Sequence, residues 1–309
     1  MANGWFNGLP PVFNSDKLLQ SSPLIHPSSQ LLEFILNFSC PDRAGLVRTV
    51  SNWLFDEGCN IIDSDQFRDS SSGRFFMRVH FNGGDNSRGG LSESFTNIAK
   101  ANEMSWELWS TDEKPEVLIM VSKQDHCLID LLYRNKNKEL PINIPLVVSN
   151  HRDTYSLTAA EGIDFLHLST DDKPAMERQL IAEIERRKID FIVLARYMQI
   201  LGPNICNLLP GRIINIHHSF LPGFKGARPY RQAFDRGVKL IGATAHYVTS
   251  DLDEGPIIEQ GIERVDHRMD TKQLSAVGRD IERIVLAKAV RYQAEHRILL
   301  NGNRTVVFQ

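Results

Sequence analysis

The chain lacks paired cysteines. Its four cysteines lie far apart and include no CxxC pair; they are Cys40, Cys59, Cys127 and Cys206. This scatter argues against a disulfide framework and against a cysteine-based zinc site. Cysteines that stay as thiols are typical of a reducing compartment, so the sequence predicts a cytoplasmic protein.

Long apolar runs and basic clusters are also absent. No stretch reaches the roughly 20 apolar residues that a transmembrane helix needs, and the formal net charge is -3. We therefore expect neither a membrane span nor a nucleic-acid surface, which normally shows clustered Lys and Arg. Residues 1–30 contain one Lys and no Arg. Because transit peptides are rich in Arg and signal peptides begin with basic residues, we expect residues 1–30 to be a poorly ordered extension.

The composition allows two hydrophobic cores. The chain has 309 residues, of which 42% are hydrophobic, and this length exceeds that of most single domains. The polar residues 111–115 end in Pro115, which is typical of a linker. The sequence thus predicts one domain over residues 31–110 and a larger domain over residues 116–309.

The first of these domains has a βαββαβ pattern. Alternating apolar residues predict its first strand, and Gly58 is expected to end its first helix. The predicted strands are 32–38, 60–67, 74–81 and 105–109, and the predicted helices are 46–57 and 91–103. This order is that of a ferredoxin-like domain.

The second domain alternates strands with helices. The predicted strands are 117–121, 146–149, 165–168, 191–194, 213–216, 245–248 and 257–263, and the predicted helices are 127–136, 174–188 and 271–296. Such alternation predicts a mainly parallel sheet that is covered by helices. In sheets of this kind, ligands bind at the carboxyl ends of the strands.

Three residues near these strand ends suit attack on an acyl carbon. Asn215 and His217 lie two positions apart at the end of a strand, so their side chains share one side of it. An amide can donate to a developing oxyanion, and an imidazole can polarise it. Asp253 can hold the imidazole charged and activate a nucleophile. The sequence therefore predicts an acyl-transfer or hydrolysis site.

Other polar residues nearby invite a metal interpretation. His217, His218, Asp251 and Asp253 could together suggest zinc. Adjacent residues on a strand point to opposite sides, so the two histidines are expected to be poor joint ligands, and we expect no metal. We expect His218 and His246 to pack in the interior or to support the site. The sequence leaves the roles of His126 and Arg228 open.

The chain resembles a known family over about 280 residues. The stretch from Val117 onward contains Asn-Ile-His-His-Ser-Phe-Leu-Pro, Gly-Ala-Arg-Pro-Tyr and Leu-Asp-Glu-Gly-Pro and resembles the folate-dependent formyltransferases. Residues 30–110, with Cys-Pro-Asp-Arg-Ala-Gly-Leu-Val, resemble an ACT regulatory domain. The pairing resembles the formyltetrahydrofolate deformylases, which hydrolyse 10-formyltetrahydrofolate to formate and tetrahydrofolate.

The resemblance implies roles for further residues. It implies that Asn215, His217 and Asp253 are catalytic and that no cofactor is needed besides the folate substrate. Folate needs a flat apolar slot with amide edges. The segments that follow the predicted strands 191–194 and 245–248 would form this slot. The residues concerned are Arg196, Tyr197, Met198, Gln199, Ile200, Thr249 and Asp251. The formate released would feed purine synthesis and balance the one-carbon pools.

The resemblance to ACT domains implies regulation and assembly. ACT domains pair through their sheets, so we expect a homo-oligomer. They often bind amino acids at the shared interface, which implies glycine or methionine as an effector. The matching residues are Asp42, Ala44, Gly45, Asn60 and Ile61.

Two other functions stay open at this stage. One is formyl transfer to an amine acceptor. The glycinamide ribonucleotide formyltransferases cradle a phosphate in a glycine-rich turn, whereas this chain has Val-Ser-Lys-Gln-Asp-His-Cys at residues 121–127, with no glycine. That difference favours water as the nucleophile, and the acidic balance argues against a tRNA acceptor. The other function is a catalytically silent amino-acid sensor, which the intact Asn215, His217 and Asp253 set argues against.

Overall fold

A computed structural model describes residues 32–223 and 229–309. Leu32–Gln309 form one compact unit. The predicted extension at residues 1–30 and the side chain of Arg228 lie outside the described residues. No helix in the described part of the chain is both long enough and apolar enough to cross a membrane.

The amino-terminal sheet has four antiparallel strands, and two helices cover one of its faces. Its elements are β1 (Glu33–Pro41), α1 (Leu46–Asp56), β2 (Asn60–Asp69), β3 (Arg74–Asn82), α2 (Arg88–Ala101) and β4 (Ser105–Ser110). The strand order is β2-β3-β1-β4. The predicted βαββαβ pattern is confirmed.

Alternation along β1 separates the two faces of this sheet. Phe34, Leu36 and Phe38 are buried in a core that includes Trp53 of α1 and Phe95 of α2. Residues between them point to the other face, because successive side chains on a strand alternate. That other face carries buried polar groups, which meet the rest of the chain.

The larger sheet has seven strands. The elements are β5 (Glu116–Val121), α3 (His126–Lys136), β6 (Asn143–Ser149), α4 (Tyr155–Ala160), β7 (Asp164–His167), α5 (Lys173–Arg187), β8 (Phe191–Leu194), α6 (Pro203–Leu208), β9 (Ile213–His217), α7 (Pro229–Asp235), β10 (Leu240–Tyr247), β11 (Ile257–Arg264) and α8 (Thr271–Ala294). The strand order is β11-β10-β9-β8-β5-β6-β7.

Five strands of this sheet are parallel, from β9 to β7. The last two strands, β10 and β11, run antiparallel at one edge. The prediction of a mainly parallel sheet is therefore confirmed. The order places β9 next to both β8 and β10, so the carboxyl ends of β8 and β9 lie side by side. Residues 111–115 separate β4 from β5, and a linker there stays a prediction.

A terminal hairpin connects the two sheets. It consists of β12 (Ile298–Asn301) and β13 (Arg304–Val307). Asp69, at the end of β2, accepts hydrogen bonds from Asn301 Nδ2 and Arg304 Nη2, both at 2.7 Å. Phe76 of β3 packs with Leu299 and Phe308 on the same side. The free face of the amino-terminal sheet is thus covered by residues more than 200 positions away.

A stacked ring pair lies beside this hairpin. Trp109 of β4 and His296 have ring centroids 3.9 Å apart at an interplanar angle of 12°. Asn37 Nδ2 donates to the backbone oxygen of His296 at 2.7 Å, and Arg78 donates to the backbone oxygen of Glu295 at 3.1 Å. The end of α8 is therefore fixed against the amino-terminal sheet.

Candidate active site

Asn215 and His217 lie at the carboxyl end of β9. Ile213, Ile214 and Ile216 of the same strand are buried apolar residues. Because side chains alternate along a strand, Asn215 and His217 share one side. Both border the same cavity, as the spacing in the sequence predicts.

Asn215 contacts a histidine on the neighbouring strand. It is paired with His246 of β10 in the antiparallel register, and Asn215 Nδ2 lies 3.2 Å from His246 Nε2. The other ring nitrogen, Nδ1, lies 2.9 Å from the backbone oxygen of Tyr247. A carbonyl oxygen only accepts, so Nδ1 carries the proton and Nε2 accepts from the amide. Burial lowers the pKa of His246, which keeps this imidazole neutral at pH 7.

Asp253 meets His217 from the loop between β10 and β11. Its Oδ1 lies 3.3 Å from His217 Nδ1 and 3.7 Å from His246 Nε2. The hydrogen bond with His217 holds the pKa of Asp253 below its usual value, although burial opposes this. The carboxylate therefore stays charged beside the imidazole at neutral pH. His217 Nε2 is buried and finds no hydrogen-bond partner among the described residues.

A close backbone contact holds the loop that carries Asp253. Asp253 has a φ of 57°, which is the left-handed region. Two residues later, a β-carbon built on Gly255 would lie 1.7 Å from the backbone oxygen of Tyr247. Only glycine allows this approach, which lets the loop turn back under His246 and present Asp253 to His217.

All the residues predicted for catalysis and folate binding line one cavity, which has a volume of about 800 Å³. It is lined by Asn215, His217 and Asp253, and also by Arg196, Tyr197, Met198, Gln199, Ile200, Thr249 and Asp251. Met198 and Ile200 are exposed and apolar, whereas Tyr197 is buried. Burial raises the pKa of Tyr197 to about 12, so its hydroxyl stays neutral. This volume lies in the usual range for small-molecule sites.

The side chain of His218 does not point in the direction that the sequence predicted. The two adjacent histidines were expected to point to opposite sides, but their rings are stacked 5.2 Å apart at 26°. The expectation was wrong because β9 ends at His217, so strand alternation no longer applies to His218. Burial and the charge of Arg196 lower the pKa of His218 to about 3. His218 is thus a neutral ring on the wall of the cavity.

Known proteins resemble the chain over most of its length. Residues 115–290 match the formyl transferase family model. A formyltetrahydrofolate deformylase from Bacillus subtilis is 47% identical over 275 residues, which are 87% of this chain and 92% of the relative. The chain belongs to the formyltetrahydrofolate deformylase family.

Solved structures from this family agree with that assignment. A formyltetrahydrofolate deformylase from Pseudomonas syringae has a TM-score of 0.89 and 42% identity, with 92% of this chain and 96% of that chain covered. Another from Burkholderia mallei has a TM-score of 0.86 and 50% identity, with 90% and 100% covered. The alignment spans far more than the formyl transferase region, so the deformylase likeness includes the four-stranded sheet.

Sequence reasoning missed part of the deformylase cavity wall. Glu282 of α8 is 1% exposed and holds three side chains. His126 Nε2 lies 2.8 Å from its Oε2, Arg196 Nε lies 3.3 Å from the same oxygen, and the Tyr230 hydroxyl donates to Oε1. A signal was present, because Glu282 lies between the buried apolar residues Ile281 and Val285 of α8.

This cluster also bears on the question of a metal. His126, Cys127 and Glu282 have ligand atoms within 4.8 Å of one another. However, His126 Nε2 is already hydrogen-bonded to Glu282, and the guanidinium of Arg196 occupies the carboxylate. Burial raises the pKa of the Cys127 thiol well above its usual value, so it is not a thiolate. These groups fit an ion-pair network better than a cation site. The expectation that the reaction needs no metal or cofactor stays a prediction.

The residues predicted to bind an effector lie on an exposed corner. Asp42 forms an ion pair with Arg68, with Oδ2 and Nε 2.6 Å apart. Gly45 precedes α1 and has a φ of 94°. Ala44 is exposed beside them, and Asn60 and Ile61 begin the edge strand β2. None of these five residues borders the cavity described above. Effector binding at this corner stays a prediction.

Proposed function

We propose that the chain hydrolyses 10-formyltetrahydrofolate to formate and tetrahydrofolate. The observation that carries this proposal is the meeting of Asn215, His217 and Asp253 at one end of an 800 Å³ cavity. It is supported by relatives named formyltetrahydrofolate deformylases that match about nine tenths of the chain.

In the proposed reaction, Asp253 positions a water molecule and accepts its proton. The water oxygen attacks the formyl carbon, and the oxygen of the formyl group becomes an oxyanion. His217 Nε2 polarises that oxygen. The amide of Asn215 has two N–H groups; one meets His246, and the other donates to the oxyanion. The proton taken from water returns to N10 as the carbon–nitrogen bond breaks.

The proposed folate slot lies along the same cavity. The pterin ring would lie between the segment 196–201, which follows β8, and the segment 248–253, which follows β10. Exposed apolar side chains at Met198 and Ile200 supply flat contact area. The backbone between Thr249 and Asp251 is fixed by a hydrogen bond from Thr249 Oγ1 to the Asp251 oxygen at 3.0 Å. Backbone amides at this edge suit the donors and acceptors of a pterin.

The loop after β5 supports water over an amine acceptor. Its side chains are used within the protein: Ser122 Oγ donates to Asn150 Oδ1 at 2.7 Å and accepts from the Met198 amide at 3.0 Å. Gln124 accepts from Arg196 at 2.8 Å. A phosphate would need free backbone N–H groups in a glycine-rich turn. The second candidate function, transfer to an amine, therefore has less support.

We propose further that the amino-terminal domain is an ACT domain that binds glycine or methionine and joins subunits. The support is an edge strand with exposed apolar residues. β2 pairs with β3 on one side only, and Ile61, Ile62 and Phe67 are exposed on it. Exposed edge strands readily pair with another chain. Homo-oligomerisation through this edge would place the predicted effector corner at an interface.

We place the reaction in the cytoplasm, where the formate would feed purine synthesis. The support is that all four cysteines are free thiols, and that three of them are buried. Buried thiols persist without oxidation in a reducing compartment.

The deciding experiment measures formate release from 10-formyltetrahydrofolate without any amine acceptor, with wild type beside Asp253→Asn. The substitution keeps the shape of the side chain and removes its charge and its basicity. We expect release by wild type and a turnover lower by about 10²–10³ or more in the variant. Near-normal turnover of the variant would contradict the role of Asp253. No release by wild type would contradict hydrolysis, and formyl transfer to amines would then be measured.

A further inference from the structure

The backbone of Arg196 is strained at the start of the proposed folate slot. Its φ is 64°, a left-handed conformation that costs a residue with a β-carbon about 1–2 kcal/mol. Arg196 directly precedes the cavity-lining residues Tyr197 and Met198. A change in the backbone conformation of Arg196 would therefore move the residues that line the slot. Other groups must stabilise this conformation.

The side chain of Arg196 is held on two sides. Its Nε and Nη2 donate to Gln124 Oε1 at 3.1 and 2.8 Å. Its Nε also lies 3.3 Å from Glu282 Oε2. Arg196 is 7% exposed, so the charge of the guanidinium is largely removed from water. Of these two partners, only Glu282 is an anion that compensates the buried charge.

Glu282 is itself fixed in the charged form. Burial alone would raise the pKa of Glu282, but the hydrogen bond with His126 and the charge of Arg196 outweigh burial and lower it. Its Oε1 accepts from the Tyr230 hydroxyl. Both carboxylate oxygens are thus used by neighbours on three different segments. α8, which is anchored by a capping box at Asp270, carries this carboxylate as a rigid support.

We propose that Glu282 is a positioning residue for folate binding, which acts by holding the side chain of Arg196 and, through it, the left-handed backbone at the start of the slot. This inference rests on the proposed function, because the ligand of the slot is folate. Glu282 stands at the cavity wall, apart from the Asn215, His217 and Asp253 set, so its loss should weaken binding more than the chemical step.

The first test is Glu282→Gln. The amide has the same shape but lacks the charge that holds Arg196. We expect the Kd for tetrahydrofolate, measured by calorimetry, to rise by about five- to thirtyfold, which is the factor that one or two kcal/mol corresponds to. The KM should rise in parallel while kcat changes little. An unchanged Kd with an unchanged melting temperature would overturn the inference.

A matched pair of double variants separates positioning from general damage. Glu282→Gln is combined with Arg196→Gly in one protein and with Arg196→Ala in the other. Neither variant contains an unpaired buried charge, and the two differ by one methyl group. Glycine adopts a positive φ freely, whereas alanine does not. We therefore expect the glycine variant to bind tetrahydrofolate about five- to thirtyfold more tightly.

Equal binding by the two double variants, with similar melting temperatures, would overturn the inference. This comparison holds even if Glu282→Gln alone fails to fold. It is also distinct from the test of the proposed function, because binding of tetrahydrofolate does not require turnover. A wild type that neither binds tetrahydrofolate nor releases formate would instead contradict the proposed function.

Discussion

In the proposed reaction, the side-chain amide of Asn215 donates to two partners, His246 and the oxyanion. Its Nδ2 donates to His246 Nε2, and the proton on His246 Nδ1 is directed to the Tyr247 carbonyl oxygen. This chain fixes the tautomer of His246, and the neutral ring fixes the orientation of the amide. An Asn amide without such a partner could rotate and present its oxygen, which would repel an oxyanion. His246 therefore selects the donor face of Asn215.

A comparison of Asn215→Ala with His246→Gln should separate the donation to the oxyanion from the contact with His246. We expect kcat for formate release by Asn215→Ala to fall by about 10²–10³, because one oxyanion donor is lost, while KM changes little. His246→Gln, which can still accept a hydrogen bond through its side-chain oxygen, should reduce kcat by much less. An equal loss in both variants would contradict this ranking, because His246 would then contribute as much to the reaction as Asn215.

At the scale of whole elements, the strands and long helices could be predicted from the sequence because their apolar pattern is strong. Leu274, Ile281 and Val285 mark α8 by their spacing. The short helices α4 and α6, with six residues each, were not predicted, since six residues give too short a pattern to recognise. The hairpin β12–β13 was also missed, although its two-residue loop Gly302-Asn303 between short apolar strands is a hairpin signal.

The candidate site also contains some residues that could be predicted from the sequence and others that could not. The meeting of Asn215, His217 and Asp253 could be predicted because the first two fall in a motif at the end of β9 and Asp253 falls in a motif in the loop after β10. The network of Gln124, Glu282 and Tyr230 could not, since it joins three segments that are more than 50 positions apart along the chain. Such contacts depend on how α8 crosses the sheet, which no local pattern encodes.

Gly255→Ala tests the loop that carries Asp253. The added methyl group would lie 1.7 Å from the Tyr247 oxygen, so the loop must move. We expect a loss of about 1–3 kcal/mol in the free energy of unfolding, as for other overpacked sites, and a fall in formate release because Asp253 moves with the loop. Gly89→Ala in α2 is the control, since its β-carbon would meet nothing closer than 4.0 Å. Equal activities in the two variants would contradict the argument.

At the scale of the molecule, the burial of His296 beside Trp109 makes stability depend on pH. Burial, with the charges of Arg78 and Arg88, lowers the pKa of His296 to about 4. A histidine in an unfolded chain has a pKa of about 6.5. Between these values the unfolded chain binds a proton that the folded chain does not. Stability from this group is therefore full above pH ~6.5 and is lost as the pH falls towards 4.

His296→Asn should flatten this dependence. Asn tolerates the left-handed backbone at this position, where φ is 52°, and does not titrate. We expect the melting temperature of the variant to be lower at pH 7, because the stack on Trp109 is lost, but to fall less than that of wild type from pH 6.5 to pH 4.5. Parallel curves for the two proteins would show that His296 is not responsible.

The hydrogen bond from Arg304 to Asp69 has a consequence for biosynthesis. The two residues are 235 positions apart, and a ribosome makes the amino-terminal part first. The four-stranded sheet therefore emerges with Phe76 and Arg78 uncovered, and both stay so until residues 295–308 have been translated. During that interval the nascent chain presents an apolar surface beside an open strand edge. Chaperone engagement should therefore be concentrated in this window, and it should end when the hairpin docks.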